Sequence, residues 1–271
     1  MERLLKQFYI CFPEGKHKVL TMSYDDGKIQ DRRLVEIFNK NGIKGTFHLN
    51  SGLFDDPERV QPDEIAELYK GHEVSCHTYT HPTIERCPIT QVVEQIIEDR
   101  KILEAACGYP VRGLSYPNGS YTDEIKAALP ACGIEYSRVV GSTDDFAMPR
   151  DLYEWTATCH HSHNLMQNAE RFAALQKRQY LYMMYVWGHS YEFDRDNIWD
   201  LIESFCEYIG GRDDIWYATN IEIVDYMNAA RNLKYSASGD MVYNPSALSV
   251  WITVDSANAY EIKPGETKVL K

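Results

Sequence analysis

Ser23-Tyr24-Asp25-Asp26-Gly27 places adjacent carboxylates and a glycine directly after an apolar run. Neighbouring carboxylates repel when both are ionised, and a cation or a proton-transfer task offsets that repulsion. Gly27 allows a sharp turn that leaves both acids at the mouth of a strand. An inert, solvated turn has the same composition. His77-Thr78-Tyr79-Thr80-His81 sets imidazoles at positions i and i+4, on one side of a helical turn. That is a common way to offer nitrogens to one metal, and loop histidines without a ligand are the plainer reading. Asp26, His77 and His81 together form the nitrogen-and-oxygen set that zinc accepts, with coordination positions left for water and substrate. His189 follows the apolar run 180–187. It is either a reactive group beyond a strand or a packed core histidine.

Other residues offer less definite chemistry. His160, His161 and His163 crowd one short segment. They could line a site, touch substrate or offer a different metal triad; a solvated loop is the plainer reading. His48 shares a strand face with Thr46 and Asn50, which either opens into a barrel mouth or packs. Among the aromatics, Trp187 is expected nearest to substrate because it neighbours His189, with Trp155 second.

The elements that would position these groups are legible in the pattern. Strands are expected at 18–24, 45–50, 73–76, 111–115, 135–139, 180–187 and 215–219. Helices are expected at 31–40, 63–70, 90–106, 122–132, 197–209 and 221–232. Strand-helix alternation predicts a parallel sheet covered by helices. The fold class expected is α/β, a distorted (β/α) barrel of about seven parallel strands, with chemistry at the carboxyl ends. From about residue 233 the pattern turns to short β pieces punctuated by Ser, Asn, Gly and Pro. The expected domains are therefore a barrel over 1–232 and a small β-rich appendage over 233–271.

Composition narrows the partners. The formal net charge of -12 argues against nucleic acid and against anionic membrane surfaces. No apolar run is long enough for a membrane span or a signal-peptide core, so the expected location is cytoplasmic. The cysteines are odd in number (7) and widely spaced, which suits reduced, mostly buried thiols. Oligomeric state is open.

In these motifs the chain resembles the polysaccharide deacetylase family, the NodB-like carbohydrate esterases. Ser23-Tyr24-Asp25-Asp26-Gly27 matches the family's acid-acid motif, and His77 to His81 matches its His-x-x-x-His motif. Gly45-Thr46-Phe47-His48-Leu49-Asn50-Ser51-Gly52 resembles its second strand, and Val186-Trp187-Gly188-His189 its hydrophobic-x-x-His strand end. The likeness runs in order over about residues 18–230. It implies a distorted (β/α) barrel that removes acetyl groups from an N-acetylated or O-acetylated carbohydrate. By the same resemblance Asp25 is the general base and His189 the general acid. Asp26, His77 and His81 hold a divalent ion, with zinc the first choice and cobalt, nickel or manganese the others.

The sequence departs from the family pattern in its later motifs. The family's Arg-Pro-Pro-Tyr-Gly is best matched by Ser115-Tyr116-Pro117-Asn118-Gly119, so Ser115 stands where an arginine orients the base. Arg112, three residues earlier, is a candidate replacement. Tyr116 and Asn118 inherit the substrate and oxyanion positions. The family's Asp-Trp motif has only loose counterparts in Asp144-Asp145-Phe146 and Trp155. These departures leave alternatives: a related hydrolase of small amides or ureides, or a catalytically silent carbohydrate-binding barrel.

Overall fold

The computed structural model describes residues 5–256 and 259–270. Residues 1–4, 257, 258 and 271, which belong to the expected domain ranges 1–232 and 233–271, lie outside the described residues. Strand β1 (Phe8–Cys11) is followed by β2 (Lys18–Asp25), α1 (Asp31–Lys40), β3 (Gly45–Leu49), α2 (Ile65–Leu68) and β4 (Glu73–Cys76). Next come α3 (Ile89–Cys107), β5 (Gly113–Ser115), α4 (Asp123–Ala128), β6 (Tyr136–Arg138), β7 (Cys159–His160) and α5 (Leu165–Ala173). Strand β8 (Tyr182–His189), α6 (Tyr191–Arg195), α7 (Trp199–Ile209), β9 (Ile215–Tyr217) and α8 (Asn220–Arg231) complete the alternating part. The chain ends in β10 (Lys234–Tyr235), β11 (Met241–Tyr243), β12 (Val250–Val254), β13 (Ala259–Ile262) and β14 (Thr267–Val269).

The main sheet runs β6-β5-β4-β3-β2-β8-β7, with every neighbouring pair parallel. Strand β9 adds to the start of β2 through Lys18, Val19 and Leu20. The sheet curls into the distorted (β/α) barrel that the strand-helix alternation predicts. The segment 155–161 draws its edges together. Trp155 N–H donates to Ser137 on β6, and Thr158 N–H donates to Tyr185 on β8. Every residue of β2 is buried, as expected of a central strand covered on both faces.

Local chemistry explains the helices. Helix α1 buries Leu34, Val35, Ile37 and Phe38 on one side. Helix α3 buries Val92, Ile96, Asp99 and Leu103 at helical spacing and stops at Gly108, whose φ of 80° suits a left-handed cap. Helix α8 opens with a capping box made by Thr219 and Glu222.

The small strands form separate sheets, β1-β12-β13 and β10-β11-β14. A pairing distant in sequence, β1 against β12, joins the start of the chain to its end. Val242, Val250, Ile252 and Ile262 from these sheets share a core with Phe12, Ile223 and Tyr226. All seven cysteines are free. Among the described residues no helix is long and apolar enough to cross a membrane.

Candidate metal centre and its neighbours

Because the sheet is parallel, the carboxyl ends of its strands face one side. Strands β2, β5, β6, β7 and β8 end in Asp25, Ser115, Arg138, His160 and His189, and His77 directly follows β4. Residues far apart in the chain thus meet at one mouth.

Asp26, His77 and His81 converge there, with ligand atoms all within 4.8 Å of one another. Asp26 Oδ1 lies 3.9 Å from His77 Nε2 and 4.0 Å from His81 Nε2. The two rings meet edge to face with centroids 4.8 Å apart. The segment that carries them is a loop, where the i, i+4 spacing suggested a helical turn. Thr78 and His81 take φ values of 65° and 57°, and this irregular path folds the second ring back over the first.

Buried polar groups hold both ligand loops. Asp26 takes a left-handed φ of 79°, a costly conformation for a residue other than glycine. Its N–H donates to His48 O at 2.9 Å, and the Arg59 guanidinium donates to its carbonyl. Arg59 also donates to Asn50 Oδ1 at 3.2 Å, while Asn50 Nδ2 donates to the carbonyls of His77 (2.6 Å) and Thr78 (2.9 Å). Asp99, from α3, accepts the His77 N–H at 3.1 Å and the Ser51 N–H at 2.8 Å. His77 Nδ1 faces Ser115 O at 2.8 Å and Ser115 Oγ at 2.6 Å. Engaging Nδ1 in this way leaves Nε2 as the free donor, the usual arrangement of a metal-binding histidine. The donor set fits a divalent ion.

Asp25 is clamped rather than free. Ser115 Oγ donates to Oδ1 at 3.0 Å, and the fully buried Arg138 pairs with Oδ2. Burial pushes the Asp25 carboxyl up, but Arg138, His77 and His48 outweigh it and hold it well below the usual carboxylate range. The cation beside Asp25 is therefore Arg138. Arg112 points elsewhere, to Asp225 at 2.7 Å and Glu135 at 3.1 Å. Trp187 lies over the Arg138 guanidinium at 4.5 Å and donates through Nε1 to Gly141 O at 2.8 Å.

His189 stands opposite Asp25 in the β2–β8 register. Its Nδ1 is 3.5 Å from Glu192 Oε2. Burial pulls the imidazole down, but Glu192, Asp25 and Asp26 raise it above its ordinary value. Glu192 also faces His160 Nε2 at 2.9 Å and His161 Nε2 at 3.3 Å. His161 is fully buried, and burial, then His160, push it down to about 3.

The remaining expected site residues lie apart from this mouth or are already engaged. His48 is fully buried beside Asp25, bonded to Ser23 Oγ at 2.9 Å and Cys76 O at 3.2 Å, and burial pushes it down to about 3. Trp155 is fully buried between Tyr136 and Tyr185. Tyr116 is buried, donates to Tyr153 O at 2.9 Å and stacks on Tyr121. Asn118 sits at φ 56° in the turn after β5 and donates to Thr83 Oγ1 at 3.1 Å. His163 is exposed and pairs with Asp144 at 3.0 Å.

Sequence reasoning missed Arg138, Glu192, Arg59 and Asp99. Arg138 carried a readable signal: it lies one residue before the end of the expected strand 135–139 and shares a face with Tyr136. Glu192 follows His189 at i+3, in the first turn of the short helix α6 that begins just after the strand. Arg59 lies in a loop, with no pattern to mark it.

Known proteins resemble parts of this chain. The family model described as polysaccharide deacetylase matches residues 13–137. A chitooligosaccharide deacetylase of Bradyrhizobium sp. (strain ANU 289) is 25% identical over 146 residues, 53% of this chain and 60% of the relative. A peptidoglycan-N-acetylmuramic acid deacetylase of Bacillus subtilis (strain 168) is 27% identical over 119 residues, 43% of this chain and 25% of the relative. In both, the matched stretch spans less than two thirds of the relative. A solved structure from Mycobacterium smegmatis superposes with a TM-score of 0.64 at 16% identity, covering 82% of this chain and 94% of the other. That last likeness concerns the fold.

Proposed function

From the match of residues 13–137 to the polysaccharide deacetylase family model, we propose that the chain is a divalent-metal-dependent carbohydrate deacetylase. The observation that carries this reading is the convergence of Asp26, His77 and His81 beside a clamped Asp25, with His189 in register with Asp25 on the neighbouring strand. The relatives named for chitooligosaccharide and peptidoglycan substrates supply the substrate class, an N-acetylated sugar.

Asp26, His77 and His81 would hold the ion, with His77 bound through Nε2. A divalent ion there supplies a more acidic water and polarises the acetyl carbonyl. Asp25 accepts the water's proton, and the Arg138 cation and Ser115 hydroxyl fix where its oxygens point. His189, whose proton affinity the surrounding carboxylates raise, gives a proton to the departing amine. A base held low and an acid held high divide the two jobs at neutral pH. The departure at Ser115 does not leave the base without a cation, because Arg138 supplies one. This favours an active enzyme over a silent barrel.

The test is acetate release from N-acetylglucosamine oligomers before and after chelation. Chelated protein should be inactive, and zinc, cobalt or nickel should restore it. Turnover that survives exhaustive chelation would overturn the metal assignment.

A further inference from the structure

A second group of ligating side chains lies beside His189. His160, His161 and Glu192 place a ligand atom each within the same 4.8 Å limit as the first triad. His160 Nε2 is 2.9 Å and His161 Nε2 3.3 Å from Glu192 Oε2. Donors around a tetrahedral zinc with bonds of about 2.0–2.2 Å stand about 3.3–3.6 Å apart. The spacing here is close to that, and tighter than the 3.9 and 4.0 Å contacts of the first triad.

Polar bookkeeping at Glu192 points the same way. Oε2 faces three imidazole nitrogens, including His189 Nδ1 at 3.5 Å, and Oε1 faces Arg195 at 3.4 Å. One carboxylate oxygen cannot serve three N–H donors well. His161 is fully buried, yet neither of its ring nitrogens makes a hydrogen bond among the described residues. Buried polar atoms in that state need a partner. The ring is held in a built slot, stacked between Tyr24 (5.8 Å) and Phe193 (4.3 Å). Gly188 makes room for it, since a Cβ there would come within 2.0 Å of Nδ1. His160 is fixed from behind by Ser162 Oγ, 2.8 Å from its Nδ1, which frees Nε2 to face Glu192.

We propose that His160, His161 and Glu192 form a second divalent-cation site, suited to zinc and similar ions by its imidazole-rich donors. It lies at the same mouth as the first site and shares none of its ligands. The inference does not depend on the deacetylase reading.

Zinc stoichiometry tests it, measured by equilibrium dialysis and elemental analysis at several zinc concentrations. The whole chain should bind two ions. His81→Ala and His160→Ala should each bind one, and the double variant none. One ion in the parent, lost in His81→Ala and kept in His160→Ala, would overturn the second site while leaving the first. One ion lost in His160→Ala and kept in His81→Ala would support the second site and sink the first. No ion in the parent would sink both. If His160→Ala fails to fold by circular dichroism, Glu192→Gln replaces it with the same expected count.

Discussion

Arg138, at the end of the edge strand β6, pairs with Oδ2 of Asp25, at the end of the central strand β2. Both side chains are buried, so the pair is desolvated, and each member depends on the other. Arg138→Met should cost about 3–5 kcal/mol, because it leaves a buried carboxylate unpaired. Arg138→Lys should fold better and report on catalysis. With a looser cation the Asp25 carboxyl rises, so the acid limb of the rate profile moves to higher pH. A pH profile of acetate release checks this, and an unmoved limb would contradict the role given to Arg138. The same pair stabilises the fold above the ordinary carboxylate range, and that contribution is lost as pH falls through the lowered value of Asp25.

His189 is expected to matter in proportion to how much help the leaving group needs. His189→Ala should lower turnover of N-acetyl sugars by about 10²–10⁴-fold, the usual contribution of a positioned acid. An activated aryl acetate, whose leaving group needs no proton, should lose far less. Comparable losses on both substrates would remove His189 from the proton-donor role.

Glu73 gives a stability prediction away from the mouth. It is buried beneath Tyr136 and Thr46, and burial pushes its carboxyl up from 4.5 to about 7. The folded chain then holds a proton that the unfolded chain has released. The resulting stability is full below pH 4.5 and is lost as pH rises toward 7. Glu73→Gln removes that dependence. The parent's stability relative to the variant should therefore shrink by about 3 kcal/mol across this window, at about 1.4 kcal/mol per pKa unit. Urea melts of both proteins at several pH values measure it, and a constant difference would refute it.

Gly188 is predicted to tolerate no side chain. A methyl group there would press on His161 Nδ1 at 2.0 Å. Gly188→Ala should cost about 1–3 kcal/mol through overpacking. A thermal melt indistinguishable from the parent would show that the ring moves freely.

Much of this centre was legible because the chemistry sits where strand patterns end. The apolar run into Asp25-Asp26, the run 73–76 into His77, and the run 180–187 before His189 all announced themselves locally. What stayed hidden depends on closure of the barrel. Arg138 reaches Asp25 only because the sheet curls and 155–161 bridges its edges. That segment read as a loop, since Cys159 and His160 lack the apolar alternation of a strand, and their pairing with β8 is a tertiary effect. The β1–β12 pairing escaped for a similar reason: its partners lie at opposite ends of the chain. Asn50, Arg59 and Asp99 fix ligand backbones through side-chain hydrogen bonds, which leave no periodic trace.

Asp25→Asn tests the central claim most directly. The amide keeps the shape of the carboxylate and leaves all three candidate ligands, Asp26, His77 and His81, in place. With an N-acetylglucosamine oligomer and saturating zinc, the variant should bind the metal as the parent does and release acetate at least about 10²-fold more slowly. Parent-like acetate release from the zinc-loaded variant would contradict the account.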